Sequence, residues 1–297
     1  MANITNPSQL FARELQCKLI LQSGTFNQGN NVKIVNNLTI NATVHKTLNN
    51  NFTQEASIII YGMNKSDIAA LSTLGYAPLI YEANKIELYA QYAGSTPSLC
   101  FSGYIIKAWA EFADPNRPMY FECQATYQPA IDNVTPYNAS GSENIADVFK
   151  KYASNLGYSF INNGVTGQVN NLILTGSSIS QIQQLAKQTN TMCVIDNNCL
   201  KIAPNGKSLN NEILNINSTS GLISYPTIDA WGVKFRIRYN PVLQLGQYIK
   251  LTTTVPIPKS TGQWYVYDMN SSLNNRHENW YTDIRTSYNN LINDEVQ

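Results

Sequence analysis

Apolar and polar residues alternate with a period of two over most of this chain, the pattern of strands buried on one face. CKLIL (Cys17–Leu21), NNLTINATVHKTL (Asn36–Leu48), EASIIIYGM (Glu55–Met63), NKIELYAQY (Asn84–Tyr92), LCFSGYIIKAWAEF (Leu99–Phe112) and MYFECQAT (Met119–Thr126) all carry it. One short helix interrupts them: Ser66 is placed to cap DIAALSTL, whose Ile68, Leu71 and Leu74 share a face. Six strands and one helix predict a closed or nearly closed barrel over residues 1–126, because long antiparallel strands must hide their edges.

The period changes after a connection. Tyr127–Ser142 holds two prolines and little periodicity, and residues 127–138 read as a linker. Ser140 and Glu143 then form a capping-box pattern ahead of NIADVFKKYASNLG. Ile145, Val148, Phe149, Tyr152 and Leu156 recur at helical spacing, and Gly157 stands where a left-handed cap belongs. A strand, NLILTG (Asn171–Gly176), leads to a second helix. Ser178 and Gln181 repeat the capping pattern there, and Ile179, Ile182, Leu185 and Ala186 form the apolar face. MCVIDNNCLKIA (Met192–Ala203) is a hairpin turning at Asp196-Asn197-Asn198, residues that tolerate positive φ. Residues 139–206 thus predict a small α+β domain. Strands resume over 207–297 as a second β-rich portion, and MYFECQAT (with the 118–135 region) can belong to either portion. The fold class predicted is mainly β with an α+β insert.

The most regular stretch runs from Gly221 to Leu251. Val233, Phe235, Ile237 and Tyr239 alternate with Lys234, Arg236 and Arg238, so the three cations share one strand face. Asn240-Pro241 ends the strand, since proline cannot donate to a ladder, and Gly246 permits the turn into the next. A nucleic acid, solvent or another subunit could face those cations. Specific nucleic-acid binding calls for a basic domain, which the surrounding residues do not supply.

Composition narrows the chemistry. Of 297 residues 43% are hydrophobic, an ordinary value, but only 13% are charged, about half the usual share. A net charge of +1 provides no general attraction to nucleic acid or membrane. A polar, weakly charged surface suits a chain packed among partners. The N-terminus lacks a secretory signal pattern, and no run approaches the ~20 apolar residues of a membrane span. Asn-x-Ser/Thr triplets such as Asn37-Leu38-Thr39 and Asn51-Phe52-Thr53 therefore reflect an asparagine-rich composition. Five cysteines stand apart with no C-x-x-C pair; Cys193 and Cys199 could meet across the hairpin, but buried thiols are the preferred reading. His45 and His277, the two histidines, fall in a strand and in a polar turn without metal-ligand spacing. Glu143 with Asp147 reads as helix-end chemistry and Glu111 with Asp114 as turn chemistry. Tryptophans 231, 264 and 280 lie in strands and read as packing or subunit-contact residues. No catalytic, metal or cofactor constellation emerges.

The order of motifs resembles a known family. GSSISQIQQLAKQTNTMCVIDNNCLKIAPNG is similar to a cap, L-A helix and polar-turn hairpin in baseplate hub proteins of contractile-tailed bacteriophages, the Mu-type hub and late control gene D group. SGLISYPTIDAWGVKFRIRYNPVLQLGQYIKL resembles that family's G-L-I, x-P-T, strand, N-P-x-L, G-x-x-I-x-L order, carried here by Gly221, Pro226, Pro241 and Gly246. WYVYDMNSSLNNRHENWYTDIRTSY resembles its closing strands, with Trp280 opening the last. EASIIIYGMNKSDIAALSTL, KIELYAQYAG and FSGYIIKAW resemble the barrel these hubs share with tail-tube proteins. The AWG before the cationic strand departs from the family's smaller or polar residues.

The resemblance implies a virion protein assembled in the host cytoplasm: a homotrimer of two-barrel chains with pseudo-sixfold symmetry. It would join the hexameric tail tube to the trimeric central spike and line a channel that DNA only passes through. Baseplate wedge and tape-measure proteins are further implied partners; no membrane, enzyme activity or cofactor is implied. The alternatives are a tail-tube terminator or distal tail protein, a secretion-system spike hub, and a cell-wall hydrolase or carbohydrate-binding tail protein.

Overall fold

The computed structural model describes residues 13–27, 29–48, 54–73, 83–253 and 262–288. Leu74, the Asn51–Thr53 triplet and the polar NNLINDEVQ terminus lie outside them. The chain divides into two units: Met1–His45, Gln54–Tyr127 and Ser271–Tyr281 form the first, and Lys46–Thr53, Gln128–Asn270 and Thr282–Gln297 the second.

In the first unit the alternating segments become β1 (Arg13–Ile20), β2 (Val32–Val35), β3 (Thr39–Thr47), β4 (Gln54–Tyr61), β5 (Lys85–Tyr92), β6 (Ser98–Ala110) and β7 (Pro118–Gln124), with α1 (Lys65–Leu71) after β4. The hydrogen-bonded order is β3-β4-β7-β6-β5-β1-β2. MYFECQAT therefore falls in this unit, as β7 between β4 and β6. The period-two pattern accounts for the core: Leu15, Cys17 and Leu19 on β1, Ala56, Ile58 and Ile60 on β4, and Ile86, Leu88 and Ala90 on β5 are all buried. The cap of α1 is Asn64, not Ser66. The Asn64 carboxamide oxygen accepts from the Asp67 N–H at 2.8 Å, and the hydroxyl of Ser66, two residues on, donates to that same oxygen at 2.7 Å. Asparagine caps as well as serine does, so the chain starts its helix at the earlier of the two.

The second unit holds the helical insert. Tyr127–Ser142, read as a connection, contains α2 (Tyr127–Ile131) and most of β8 (Tyr137–Asn144). α3 (Ile145–Asn155), β9 (Ser159–Asn162), β10 (Gln168–Leu174), α4 (Ser178–Gln188), β11 (Thr191–Asp196) and β12 (Cys199–Pro204) follow. β8 pairs with β10, and β9, β12 and β11 form a second small sheet. Ser140 and Glu143 consequently do not build a capping box. Glu143 pairs across the sheet with Val169 and accepts from the Tyr137 hydroxyl. The cap of α3 is Asn144, whose side chain accepts from the Ala146 and Asp147 N–H groups at 2.9 and 3.3 Å. Ser177 caps α4, one residue before the expected Ser178. Gln181 turns inward: it accepts from the Tyr152 hydroxyl at 2.5 Å and donates to the Gly176 carbonyl at 2.9 Å. Asn197 and Asn198 take φ of 50° and 59°, the paired left-handed values of a type I′ hairpin turn. Cys193 stands opposite Ile202 and Cys199 opposite Asp196, and both are free thiols.

The remaining strands are β13 (Asn210–Ile216), β14 (Thr227–Ile228), β15 (Val233–Arg238), β16 (Gln247–Leu251), β17 (Gly262–Asn274) and β18 (Trp280–Ser287). They run in the order β14-β15-β18-β17-β16-β13, with β13 and β16 parallel. Val233, Phe235, Ile237, Ile249, Leu251, Trp264, Tyr265 and Ile284 share one apolar cluster, while Val148, Phe149, Ile182, Leu185 and Ile202 belong to another within the insert. The boundary between the units falls inside β3, β17 and β18, so these three strands each contribute residues to both. The class is mainly β with an α+β insert, as the alternation predicted.

Candidate interaction surface

β15 turns Val233, Phe235 and Ile237 into the core and leaves the other face outward. Lys234 and Arg238 are exposed on that face, and neither has a carboxylate within 4 Å among the described residues. Arg236, between them, makes a two-pronged contact with Asp283 on β18: Nε donates to Oδ1 at 2.7 Å and Nη2 to Oδ2 at 2.9 Å. The three predicted cations are thus brought together, but one is neutralised. Asp283, 47 residues further along the chain, is a partner that sequence reasoning missed, because β15 and β18 meet only through the sheet order.

The family-motif residues fall in several settings, Gly221 beside β15 and Trp280 in the other unit. Gly221 adopts φ 112°, and its carbonyl accepts from the Arg238 N–H at 2.8 Å. Pro226 is buried and Pro241 exposed just beyond the strand. Gly246 holds φ 76° and its N–H reaches the Val266 carbonyl at 2.9 Å; a Cβ there would lie 2.4 Å from Leu209 Cδ1. Trp280 is a packing residue of the first unit. Its ring meets Tyr92 edge-on at 5.9 Å and lies under the Arg13 guanidinium at 5.8 Å. Arg13 donates in turn to the carbonyls of His277 and Glu278, fastening the turn before β18.

Beside β15 the segment 221–231 runs antiparallel, through a Leu222–Ile237 bridge and the β14 pairs Thr227–Lys234 and Ile228–Val233. It exposes Ile223, Tyr225 (79%), Ile228 (69%) and Trp231, and Tyr288 joins them through its N–H to the Trp231 carbonyl. These large apolar side chains stand at the open edge beside β15, the strand that carries the exposed Lys234 and Arg238.

A buried charge cluster in the same unit has no signature in the sequence. Lys46 Nζ lies 2.6 Å from one Asp196 oxygen, Lys201 Nζ 4.0 Å from the other, and Lys201 donates to Gln244 at 2.8 Å. Burial pushes the Asp196 carboxyl up, but the two ammonium groups outweigh it and hold the group below its ordinary value. The cluster ties the end of β3, the β11–β12 hairpin and the 240–246 loop together. Among the described residues no group of three or more His, Cys, Asp or Glu side chains could hold a metal ion, and no helix is long and apolar enough to cross a membrane.

The fold has relatives among solved structures. It is similar to a tail protein from Neisseria meningitidis MC58, with a TM-score of 0.62 at 9% identity over 93% of this chain and 96% of that one. The 43 kDa tail protein of prophage MuSo2 from Shewanella oneidensis gives 0.60 at 9% identity, over 92% and 96%. The E. coli c3393 protein, a type VI secretion component described as structurally similar to bacteriophage T4 gp27 and gp5, gives 0.59 at 8%, over 91% and 76%. At such identities the likeness concerns the fold. No curated protein sequence matches the chain. The family described as Baseplate hub gp41 matches residues 19–286. With most of its length inside that match, the chain belongs to the baseplate hub gp41 family.

Proposed function

We propose that three copies of this chain form a ring that adapts the sixfold tail tube to the threefold central spike of a contractile tail. The observation that carries this reading is the division of a hub-family chain into two β-rich units, so that a trimer presents six. Tail tube protein would dock on one side and the trimeric spike on the other, with wedge and tape-measure proteins around them and DNA only passing through. The role is structural, a symmetry adaptor and conduit wall assembled in the host cytoplasm. The outward face with Lys234, Arg236 and Arg238 is turned towards the channel or a neighbouring subunit.

Light scattering of the purified protein tests the stoichiometry. A mass three times the 33.1 kDa of one chain is expected, and a hexamer refutes the hub reading in favour of a tube terminator. Neutralising Lys234, Arg236 and Arg238 together should weaken ring assembly or tube docking and leave the circular dichroism spectrum unchanged. A triple variant that assembles fully removes the cations from the interface. Turnover of purified peptidoglycan, abolished by mutating one carboxylate, would overturn the non-enzymatic reading.

A further inference from the structure

Asparagine followed by glycine occurs twice in the sequence, at Asn163-Gly164 and Asn205-Gly206. Such a pair is chemically unstable in water. The glycine backbone nitrogen, with no Cβ beside it to obstruct approach, attacks the asparagine Cγ. A C–N bond forms, the nitrogen gives up its proton, and the carboxamide nitrogen leaves as ammonia. Water then opens the resulting succinimide at either carbonyl. One opening gives aspartate; the other gives isoaspartate, in which the main chain runs through the side-chain carbons. Water is the sole co-reactant.

Both pairs border one cleft of about 430 Å³ in the second unit. Asn163 and Gly164 line it, and so do Pro204 and Lys207, on either side of the other pair. Both glycines are exposed, so water reaches each pair and the surrounding hydrogen bonds decide which reacts. Asn163-Gly164 is anchored to main chain. The Asn163 N–H donates to the Ile202 carbonyl at 2.7 Å, and its carboxamide donates to the Ser208 carbonyl at a half-buried position. Around Gly164 the Asn162 side chain brackets Val165, accepting from its N–H at 2.8 Å and donating to its carbonyl at 3.0 Å.

Asn205-Gly206 sits in a turn closed by the Lys207 N–H on the Pro204 carbonyl at 3.0 Å. Gly206 holds φ 81°, with nothing within 4 Å of where a Cβ would stand. The Asn205 N–H reaches the Asn190 carbonyl at 3.3 Å, and its carboxamide donates at 3.0 Å to Asn190 Oδ1, an exposed side chain that can turn away. Exposed contacts of this kind open far more readily than those tied to packed strands. We propose that Asn205 is the main site of spontaneous deamidation in the folded chain, and that the fold protects Asn163. The modification has a structural consequence. Asn190 follows the Thr189 cap of α4 with φ 48°. A carboxylate at position 205 has no N–H to give to Asn190 Oδ1 and adds negative charge beside a helix C-terminus, so the link between α4 and the end of β12 weakens.

The purified full chain tests this, incubated in mildly alkaline buffer both folded and in urea, then digested in mild acid and mapped by mass spectrometry. In urea the two pairs should convert at similar rates, their chemistry being the same. In the folded chain Asn205 should convert within a few-fold of its rate in urea, to aspartate and isoaspartate, while Asn163 slows by about tenfold or more. Equal rates at the two positions in the folded chain, a lead for Asn163, or no conversion at Asn205 overturns the proposal. Each conversion takes the formal net charge from +1 to zero, which isoelectric focusing reads as an acidic shift. Asn205→Gln, whose longer side chain closes a ring far more slowly, should remove most of that shift; a variant that shifts as fast as wild type overturns the assignment. Asn205→Asp should melt below wild type, and an unchanged melting temperature overturns the weakened link.

Discussion

Replacing Asp196 with asparagine should be among the most damaging single changes in the second unit. Its two oxygens face Lys46 at 2.6 Å and Lys201 at 4.0 Å, and all three side chains are at most 11% exposed. Asparagine keeps the shape and removes the one counter-charge in contact with two buried ammonium groups among the described residues. Breaking a buried ion pair by deleting one partner costs about 3–5 kcal/mol, because the remaining charge is left in a poorly polarisable interior. At roughly 2–4 °C per kcal/mol for a unit of this size, the melting temperature should fall by roughly 6–20 °C. Adding Lys46→Met should recover part of the loss by removing one stranded charge. Since the Asp196 pKa lies lower in the folded chain than unfolded, its contribution is complete above the ordinary carboxylate pKa of about 3.9. It disappears as pH falls through the lowered folded value. Urea unfolding of wild type and variant at pH 7, and again towards pH 3, measures both effects. A loss below about 1 kcal/mol at pH 7, or a difference that does not shrink in acid, would refute the cluster's role.

Three smaller changes probe the packing around the surface. A Cβ on Gly232 would lie 2.2 Å from the Thr286 carbonyl oxygen and 3.0 Å from the Trp264 ring, so Gly232→Ala should cost about 1–3 kcal/mol in denaturant unfolding. Gln181→Leu strands the Tyr152 hydroxyl and the Gly176 carbonyl inside the insert; a loss of about 1–3 kcal/mol is expected, read by thermal unfolding. Arg236→Ala breaks a pair whose side chains are 40% and 43% exposed, so stability should change by less than about 1 kcal/mol, and a larger loss in chemical denaturation would mean the pair is shielded.

What the sequence determined by itself is the identity and face of its strands. Period-two alternation at Cys17–Leu21, Glu55–Met63 and Val233–Tyr239 places the same side chains in the core that the structure buries, because pleating forces successive residues to opposite faces. The hairpin at Asn197-Asn198 and the stop at Asn240-Pro241 were equally legible, being set by local backbone chemistry. β8 was not. YNASGSEN has no apolar alternation, and it is a strand only because β10 offers it a ladder; that same pairing displaces the capping box and hands the cap to Asn144. The cationic row was visible too, but its electrostatics were not. Asp283 lies 47 residues after Arg236, and Asp196 lies 150 residues after Lys46. Charges so far apart in the chain meet only when sheet order and register bring them together. Tertiary structure alone therefore decided which cation of the row is paired within the chain, Arg236, and which stand exposed, Lys234 and Arg238.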